Sequence, residues 1–451
     1  MRGLKVGLAV VAAFLVSFGL NGMSYAFHDG GVGTCDSCHS MHNSKNNVAM
    51  DNNGKAQFTG NAYLLQNSDQ SSTCLRCHAN SKGSSYKSLT YPTPVPVIPV
   101  NFSPGGDFVW LQSNETTGTV TAATRGARHG HNIIALDFGL ASADPDLASA
   151  PGGTAFYPNG AMSCISCHDP HPSARIINAG GSIANRAVGS AVNPIVKSGS
   201  TWDNAAQLSG FDWATEAAGV YRILGGVGYR PDSLSGTVAT FNNPPPGAVA
   251  PKTYNKEEST NEIRVAYGTG MSEWCANCHG NIHNAGLGSK LIHPASSTAT
   301  LGGHDTITNY NAYVKSGDLT GSSATSYTSM VPFERGTRDL ATLYALADNN
   351  SALGSAAASS AGPTSGSNVM CLSCHRAHAS GFAYMSRWSN TTNMITAEGA
   401  WPGTDAPTAE GVNYATGKTQ AQYKAAMYNR NATPSYAVAQ RSLCNKCHAK
   451  D

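Results

Sequence analysis

Apolar residues form one long run at residues 6–20, and the rest of the 451-residue chain shows little sustained periodicity. Two segments, 338–347 and 419–428, have the spacing of short amphipathic helices. Closely spaced prolines at 91–99 and 244–251 predict extended polyproline II. The pattern therefore predicts a mostly irregular fold with a few short helices and very little β-structure.

The apolar run is typical of a secretory signal peptide. Arg2 and Lys5 precede it, and residues 24–26 supply a small-x-small cleavage site. We therefore expect residues 1–26 to be a signal peptide and residues 27–451 to be one exported domain without a transmembrane segment. An uncleaved N-terminal anchor is the alternative, but the run is shorter than the ~20 residues of a membrane span.

Charged residues make up 12% of the chain, against about 25% in ordinary soluble domains, and the formal net charge is +2. This composition excludes a nucleic-acid-binding protein with a basic face. The cysteines are more informative, because all twelve belong to six Cys-x-x-Cys-His motifs. They are Cys35, Cys38, Cys74, Cys77, Cys164, Cys167, Cys275, Cys278, Cys371, Cys374, Cys444 and Cys447.

Cys-x-x-Cys-His is the attachment motif of c-type haem. Two thiols one helical turn apart can reach the two vinyl groups on one porphyrin edge, and the imidazole that follows can bind the iron. Zinc bound by paired Cys-x-x-Cys strings is the alternative, but it leaves the histidine of each motif without a role. We therefore predict six covalent haem c groups that form most of the core, with proximal iron ligands His39, His78, His168, His279, His375 and His448.

Nine of the fifteen histidines lie outside the motifs, and six are needed if every iron has a second imidazole. The favoured distal ligands are His42, His131, His171, His283, His293 and His378. Four of these follow a motif by three or four residues, which places them on the same side of their own porphyrin as the proximal histidine. Each must therefore bind a different iron. His28 and His304 are expected not to be ligands, and His129 is either a polar neighbour of His131 or exchanges roles with it.

An iron with two imidazole ligands is coordinatively closed, which suits electron transfer and leaves no position for a substrate. When two histidines of one short turn bind two different irons, they also hold the two haems close together. We therefore expect an electron carrier with no catalytic residue. A multihaem reductase would require an open iron, often marked by a Cys-x-x-Cys-Lys motif, and every motif here ends in histidine.

Arginines are candidates for pairing with the haem propionates, because guanidinium and carboxylate groups form strong bidentate hydrogen bonds. For each one, an exposed solubilising charge is the alternative. The candidates are Arg125, Arg128, Arg175, Arg222, Arg376 and Arg387.

Five segments resemble the OmcS-type hexahaem c-type cytochromes of metal-reducing bacteria, and the similarity spans essentially the whole mature chain. They are residues 27–42, 221–226, 264–283, 371–378 and 444–451. The resemblance implies a head-to-tail homopolymer, an extracellular nanowire in which the haems of successive subunits form one stack. It also implies that His42 crosses the subunit boundary and binds the fifth haem of the next protomer, whose proximal ligand is His375.

The resemblance further implies a function in extracellular electron transfer at the outer cell surface, reached through the periplasm. The implied partners are donor cytochromes, further copies of the chain, and acceptors such as metal oxides, electrodes or partner cells. A monomeric periplasmic or extracellular shuttle with the same six closed haems is the main alternative. His129 and His304 do not match the family pattern, so no role is carried over to them.

Overall fold

The structure is a computed structural model. It describes residues 35–40, 44–45, 48–49, 62–79, 87–113, 127–141, 144, 147, 149–153, 162–170, 175–177, 183–185, 195–196, 217–218, 224–226, 229–231, 240–249, 258, 265–282, 294–301, 305–323, 325, 330–338, 342–343, 346, 362–433 and 435–448. The predicted signal peptide lies outside these residues.

The described residues contain eight short α-helices. They are α1 (Cys35–Cys38), α2 (Gln70–His78), α3 (Met271–His279), α4 (Thr306–Ala312), α5 (Cys371–Cys374), α6 (Ala409–Asn413), α7 (Gln420–Ala426) and α8 (Asn445–His448). Short 3-10 turns add Ala62–Leu64, Phe108–Gln112, Ala127–His129, Leu136–Phe138, Cys164–Ser166, Gly280–Ile282 and Ala383–Met385. Within this part of the chain, no helix is both long and apolar enough to cross a membrane.

The strands are two or three residues long and form three small sheets. They are β1 (Ser44–Lys45), β2 (Val48–Ala49), β3 (Arg175–Ile177), β4 (Ile183–Asn185), β5 (Ile195–Val196), β6 (Ala217–Ala218), β7 (Ala248–Val249) and β8 (Ala266–Tyr267). β1 pairs with β2 and β7 with β8, both antiparallel, and the four-stranded sheet has the order β4-β3-β6-β5. The prediction of a mostly irregular fold with few short helices and little strand is confirmed.

Side-chain caps account for where two of the helices begin. The Asp69 carboxylate accepts a hydrogen bond from the backbone N–H of Ser72 at 2.7 Å and starts α2. Thr419 and Gln422 form a capping box at the start of α7. The helix predicted at 419–428 is therefore present in a shorter form, whereas the one predicted at 338–347 lies partly outside the described residues.

The protein's own apolar core is rich in aromatic side chains. Trp401 stacks on Tyr423 with ring centres 5.8 Å apart, and Tyr436 meets Trp401 edge-on at 5.3 Å. Trp110 and Phe382 are buried in the same cluster. Each such aromatic removes a large apolar area from water, so α7 and the segment around the fifth motif are fixed relative to each other. That haem forms most of the core remains a prediction.

Candidate haem sites

Each of the six Cys-x-x-Cys-His motifs lies on a helical turn. The first, fifth and sixth motifs contain α1, α5 and α8, the second and fourth end α2 and α3, and the third forms the 3-10 turn at Cys164–Ser166. Such a turn brings the two cysteines of a motif to one side of the backbone. None of the cysteines whose side chains are described is in a disulfide. Both thiols of each described pair can therefore face one porphyrin edge.

Three proximal histidines are oriented by bonds from Nδ1 to backbone carbonyls. The bonds, each 2.8 Å long, run from His39 to the carbonyl of Tyr63, from His279 to that of Pro151 and from His375 to that of Tyr384. Donation from Nδ1 leaves the lone pair on Nε2. Histidines that bind metals are commonly oriented by this kind of bond. The other proximal histidines, His78 and His448, end α2 and α8, and His168 follows the third turn.

Two pairs of imidazole rings face each other across a gap that fits an iron. The ring centres of His131 and His279 are 6.2 Å apart, and so are those of His168 and His378. An ion bound at about 2 Å by one nitrogen of each ring separates the ring centres by about 6 Å. In each pair one histidine ends a motif and the other comes from a distant segment. The residues therefore fit the proximal and distal positions of two haem irons.

The ring of His378 is enclosed on two sides. Phe108 stacks on it with ring centres 4.8 Å apart and an angle of 24° between the planes. The backbone N–H of His378 donates to the carbonyl of Gly105 at 2.7 Å, and a Cβ at Gly105 would lie 2.9 Å from Nδ1 of His378. A side chain at position 105 would therefore displace the imidazole.

His129 and His131 are adjacent but occupy different surroundings. His131 donates from Nδ1 to the Ala377 carbonyl at 2.8 Å, and burial, followed by the neighbouring His279, lowers its pKa to about 4. His129 donates from Nδ1 to the Ser380 carbonyl at 2.8 Å, and burial lowers its pKa to about 3. Both are neutral at neutral pH, as metal binding requires. Of the two, His131 faces a proximal histidine.

Consecutive motifs touch through their first cysteines in two places. The Cys74 thiol contacts that of Cys164, and this contact, together with burial, raises the pKa of Cys74. Between the fourth and fifth motifs, contact with Cys371 and burial raise the pKa of Cys275 in the same way. A serine supports each junction: Ser71 Oγ accepts from the N–H of Cys164 at 3.1 Å, and Ser272 Oγ accepts from the N–H of Cys371 at 3.0 Å. The second and fourth junctions along the chain are therefore built alike.

The third and fifth junctions along the chain are of a different kind. Burial, followed by the charge of Cys278, raises the pKa of Cys167 in the third motif. Burial, followed by Cys374, raises the pKa of Cys447 to about 12. Here the neighbouring motifs approach through their second cysteines. Motifs two to six thus follow one another with two alternating kinds of contact, which keeps each candidate haem beside the next.

A buried charged cluster adjoins the fifth motif. Glu258 Oε2 accepts hydrogen bonds from Arg376 at 2.8 Å and from Arg387 at 2.9 Å, and all three side chains are almost fully buried. Arg430 donates to the backbone carbonyl of Glu258. Burial alone would raise the pKa of Glu258, but Arg387 and Arg376 outweigh it and lower the pKa. Tyr428 lies against Arg376, with the guanidinium 3.5 Å from its ring centre.

This cluster was not found from the sequence, because nothing marks Glu258 as the partner of arginines more than a hundred residues away. Arg376 and Arg387 have a protein carboxylate as partner, and Arg128 is exposed. Arg125, Arg222 and the side chain of Arg175 lie outside the described residues. So do the histidines His28, His42, His171, His283, His293 and His304, and the side chain of Cys35.

Comparison with known proteins gives a full-length relative. No family model matches the chain. The C-type cytochrome OmcS of Geobacter sulfurreducens is 45% identical over 457 aligned residues, which cover 100% of both chains. A cryo-EM structure of OmcS nanowires from that organism matches with a TM-score of 0.75 and 43% identity, and a structure of the Outer Membrane Cytochrome S filament matches with a TM-score of 0.76 and 42% identity. Each covers 94% of this chain and 100% of the solved one.

Proposed function

The chain belongs to the family of the C-type cytochrome OmcS, and from this premise we propose that it transfers electrons outside the cell through six covalently bound haem c groups. We propose further that residues 1–26 are removed on export and that residues 27–451 form one domain. The relatives are described as nanowires and as a filament, and the proposal extends that assembly to this chain.

The observation that carries the proposal is the facing pair His168 and His378, with ring centres 6.2 Å apart. His168 ends the third motif and His378 follows the fifth by three residues, so one iron between them would join the third motif to the segment of the fifth. The pair His131 and His279 has the same separation. We propose that the remaining irons take His42, His171, His283 and His293 as distal ligands, with His42 binding in the next protomer.

Haem c, when bound, supplies a one-electron redox centre. The cysteines of each motif would hold it by two thioether bonds, and two imidazoles would leave its iron without a free position. Nδ1 donation by His39, His279 and His375 keeps the lone pair of each ring on Nε2. Since closed irons bind no substrate, this chain acts as a carrier and not as an enzyme.

The filament follows from a ligand supplied by one copy to the next. A contact of that kind is heterologous and does not close, so it generates a chain of subunits and not a ring. The redox partners in this proposal are donor cytochromes on one side and metal oxides, electrodes or partner cells on the other.

Three measurements on the purified, haem-loaded protein test the proposal. Pyridine haemochrome analysis should give six haem c groups per chain. Optical spectra of the folded, reduced protein should show every haem low-spin and unreactive towards carbon monoxide. Cryo-EM should show filaments. Globular particles with six closed haems would favour a monomeric shuttle, whereas one high-spin haem per chain would favour a reductase.

A further inference from the structure

In the first, third and fifth motifs, a later segment of the chain runs antiparallel to the end of the motif, and we call this segment the strap of that motif. In each, the proximal histidine forms an antiparallel bridge with a residue of a later segment, and the pairs are His39 with Leu65, His168 with Leu224, and His375 with Ser386. The next residue of the strap donates its N–H to the carbonyl of the motif's second cysteine. These bonds run from Gln66 to Cys38 at 2.9 Å, from Gly225 to Cys167 at 2.8 Å and from Arg387 to Cys374 at 2.8 Å.

In each of these three motifs, one side-chain donor links the start of the helical turn to its end. It is shared between two backbone carbonyls, that of the residue after the first cysteine and that of the proximal histidine. Gln66 Nε2 donates to Asp36 and His39, Tyr229 Oη to Ile165 at 2.6 Å and His168 at 3.0 Å, and Arg387 Nε to Leu372 at 2.6 Å and His375 at 3.2 Å. Three different residue types thus reach the same two carbonyls.

The third motif obtains the same donor from a different position. Its strap has Gly225 where the others have Gln66 and Arg387, so the strap itself supplies no side chain. A Cβ at Gly225 would lie 2.3 Å from the ring of Tyr229. Gly225 therefore leaves the space through which Tyr229 reaches the carbonyls from four residues further on.

We propose that Gln66, Tyr229 and Arg387 are positioning residues that lock the helical turn of their motif and so fix the proximal imidazole. The charge of the donor also sets the reduction potential of the haem on that motif. The proposal rests on the proposed function, because it requires His39, His168 and His375 to bind iron. Reduction adds one electron to the ferric iron without making or breaking a bond. A fixed cation nearby favours the reduced form, which has one positive charge fewer.

The three donors differ in charge. Gln66 and Tyr229 are neutral, whereas Arg387 is a cation. Among the described residues, Arg387, Arg376 and Arg430 lie around one carboxylate, that of Glu258. Three guanidinium groups around one carboxylate leave a positive excess beside the fifth motif.

Arg387→Gln gives the fifth motif the donor that the first motif already uses. We expect all six haems to stay bound and low-spin, because an amide at this position can reach both carbonyls. One of the six potentials should fall: at a fixed electrode potential the ratio of reduced to oxidised haem should drop about tenfold, equivalent to ~59 mV for a one-electron couple. Arg387→Lys keeps the charge and should leave that potential close to the wild-type value.

Tyr229→Phe tests the positioning role without a change in charge. It should alter the low-spin electron paramagnetic resonance signal of one haem. The backbone carbonyl of His168 loses its hydrogen bond from Tyr229, so the imidazole is held less firmly. Tyr414→Phe, at the end of α6, is the matched control and should leave every signal unchanged. Unchanged potentials in Arg387→Gln, or an unchanged spectrum in Tyr229→Phe, would overturn the corresponding half of the proposal. A wild-type haem count other than six would instead contradict the proposed function.

Discussion

The imidazole of His378 faces that of His168 with ring centres 6.2 Å apart and an angle of 62° between the rings. His378 follows the fifth motif by three residues, whereas His168 ends the third. A single iron between them would join two motifs that are far apart in sequence. The haem on the third motif and the haem on the fifth would then be neighbours by construction, which is the condition for rapid electron transfer.

Replacing His378 by Ala should therefore open one iron. In the proposed ligation the haem on the third motif would lose its distal imidazole, so we expect one haem per chain to become high-spin and to bind carbon monoxide. Optical difference spectra of the reduced protein with carbon monoxide measure this directly. His304→Ala is the control and should leave all six haems closed. A His378→Ala protein that binds no carbon monoxide would remove the evidence that this residue is a ligand.

Gly105→Ala should weaken the same site without removing a ligand. The added Cβ would lie 2.9 Å from Nδ1 of His378 while Phe108 confines the ring from another side. Overpacking of this kind costs about 1–3 kcal/mol, so we expect partial carbon monoxide binding and a lower thermal midpoint. Gly366→Ala is the matched control, since its Cβ would meet nothing within 4 Å. Equal carbon monoxide binding by the two variants would contradict the expected crowding.

The sequence predicted the class of fold because the haem motifs are local. Each Cys-x-x-Cys-His string forms its turn from five consecutive residues, and α7 begins at the capping residues Thr419 and Gln422. The neighbours of those turns could not be predicted. Glu258 meets Arg376 and Arg387 across more than a hundred residues, and Tyr229 replaces a strap side chain that Gly225 lacks. No periodicity or motif in the sequence marks either contact, because both depend on long-range packing.

Removing the carboxylate of Glu258 should destabilise the protein strongly. Glu258→Ala leaves Arg376 and Arg387 buried with their shared partner absent, and breaking a buried ion pair from one side costs about 3–5 kcal/mol. Chemical unfolding followed by far-UV circular dichroism measures the loss. Glu410→Ala, an exposed glutamate in α6, is the control. A loss no larger than that of the control would show that the cluster contributes little to stability.

The same cluster predicts sensitivity to acid. The pKa of Glu258 in the folded protein lies below its ordinary value of 4.5, because Arg387 and Arg376 together outweigh the effect of burial. Its contribution is therefore complete above pH 4.5 and is lost as the pH falls through the lower folded-state pKa. Wild-type stability should fall more steeply than that of Glu258→Gln as the solution is acidified below pH 4.5. Parallel curves for the two proteins would contradict this assignment.

Glu334 should have the opposite effect on the pH dependence of stability: its contribution should be lost as the pH rises. It is buried, it accepts a hydrogen bond from the N–H of Gly270 at 3.2 Å, and burial raises its pKa from 4.5 to about 7. The neutral form is favoured in the folded protein, so its contribution is complete below pH 4.5 and is lost as the pH rises through 7. Glu334→Gln keeps an acceptor for Gly270 and stays neutral.

We therefore expect Glu334→Gln to be more stable than the wild type at pH 8, by up to about 3 kcal/mol at ~1.4 kcal/mol per pKa unit. The two proteins should be close to equal at pH 4. Glu398→Gln, a change at an exposed glutamate, is the control and should follow the wild-type curve. A constant difference between Glu334→Gln and the wild type across this range would mean that the carboxyl of Glu334 does not titrate there, since only its ionisation makes the difference depend on pH.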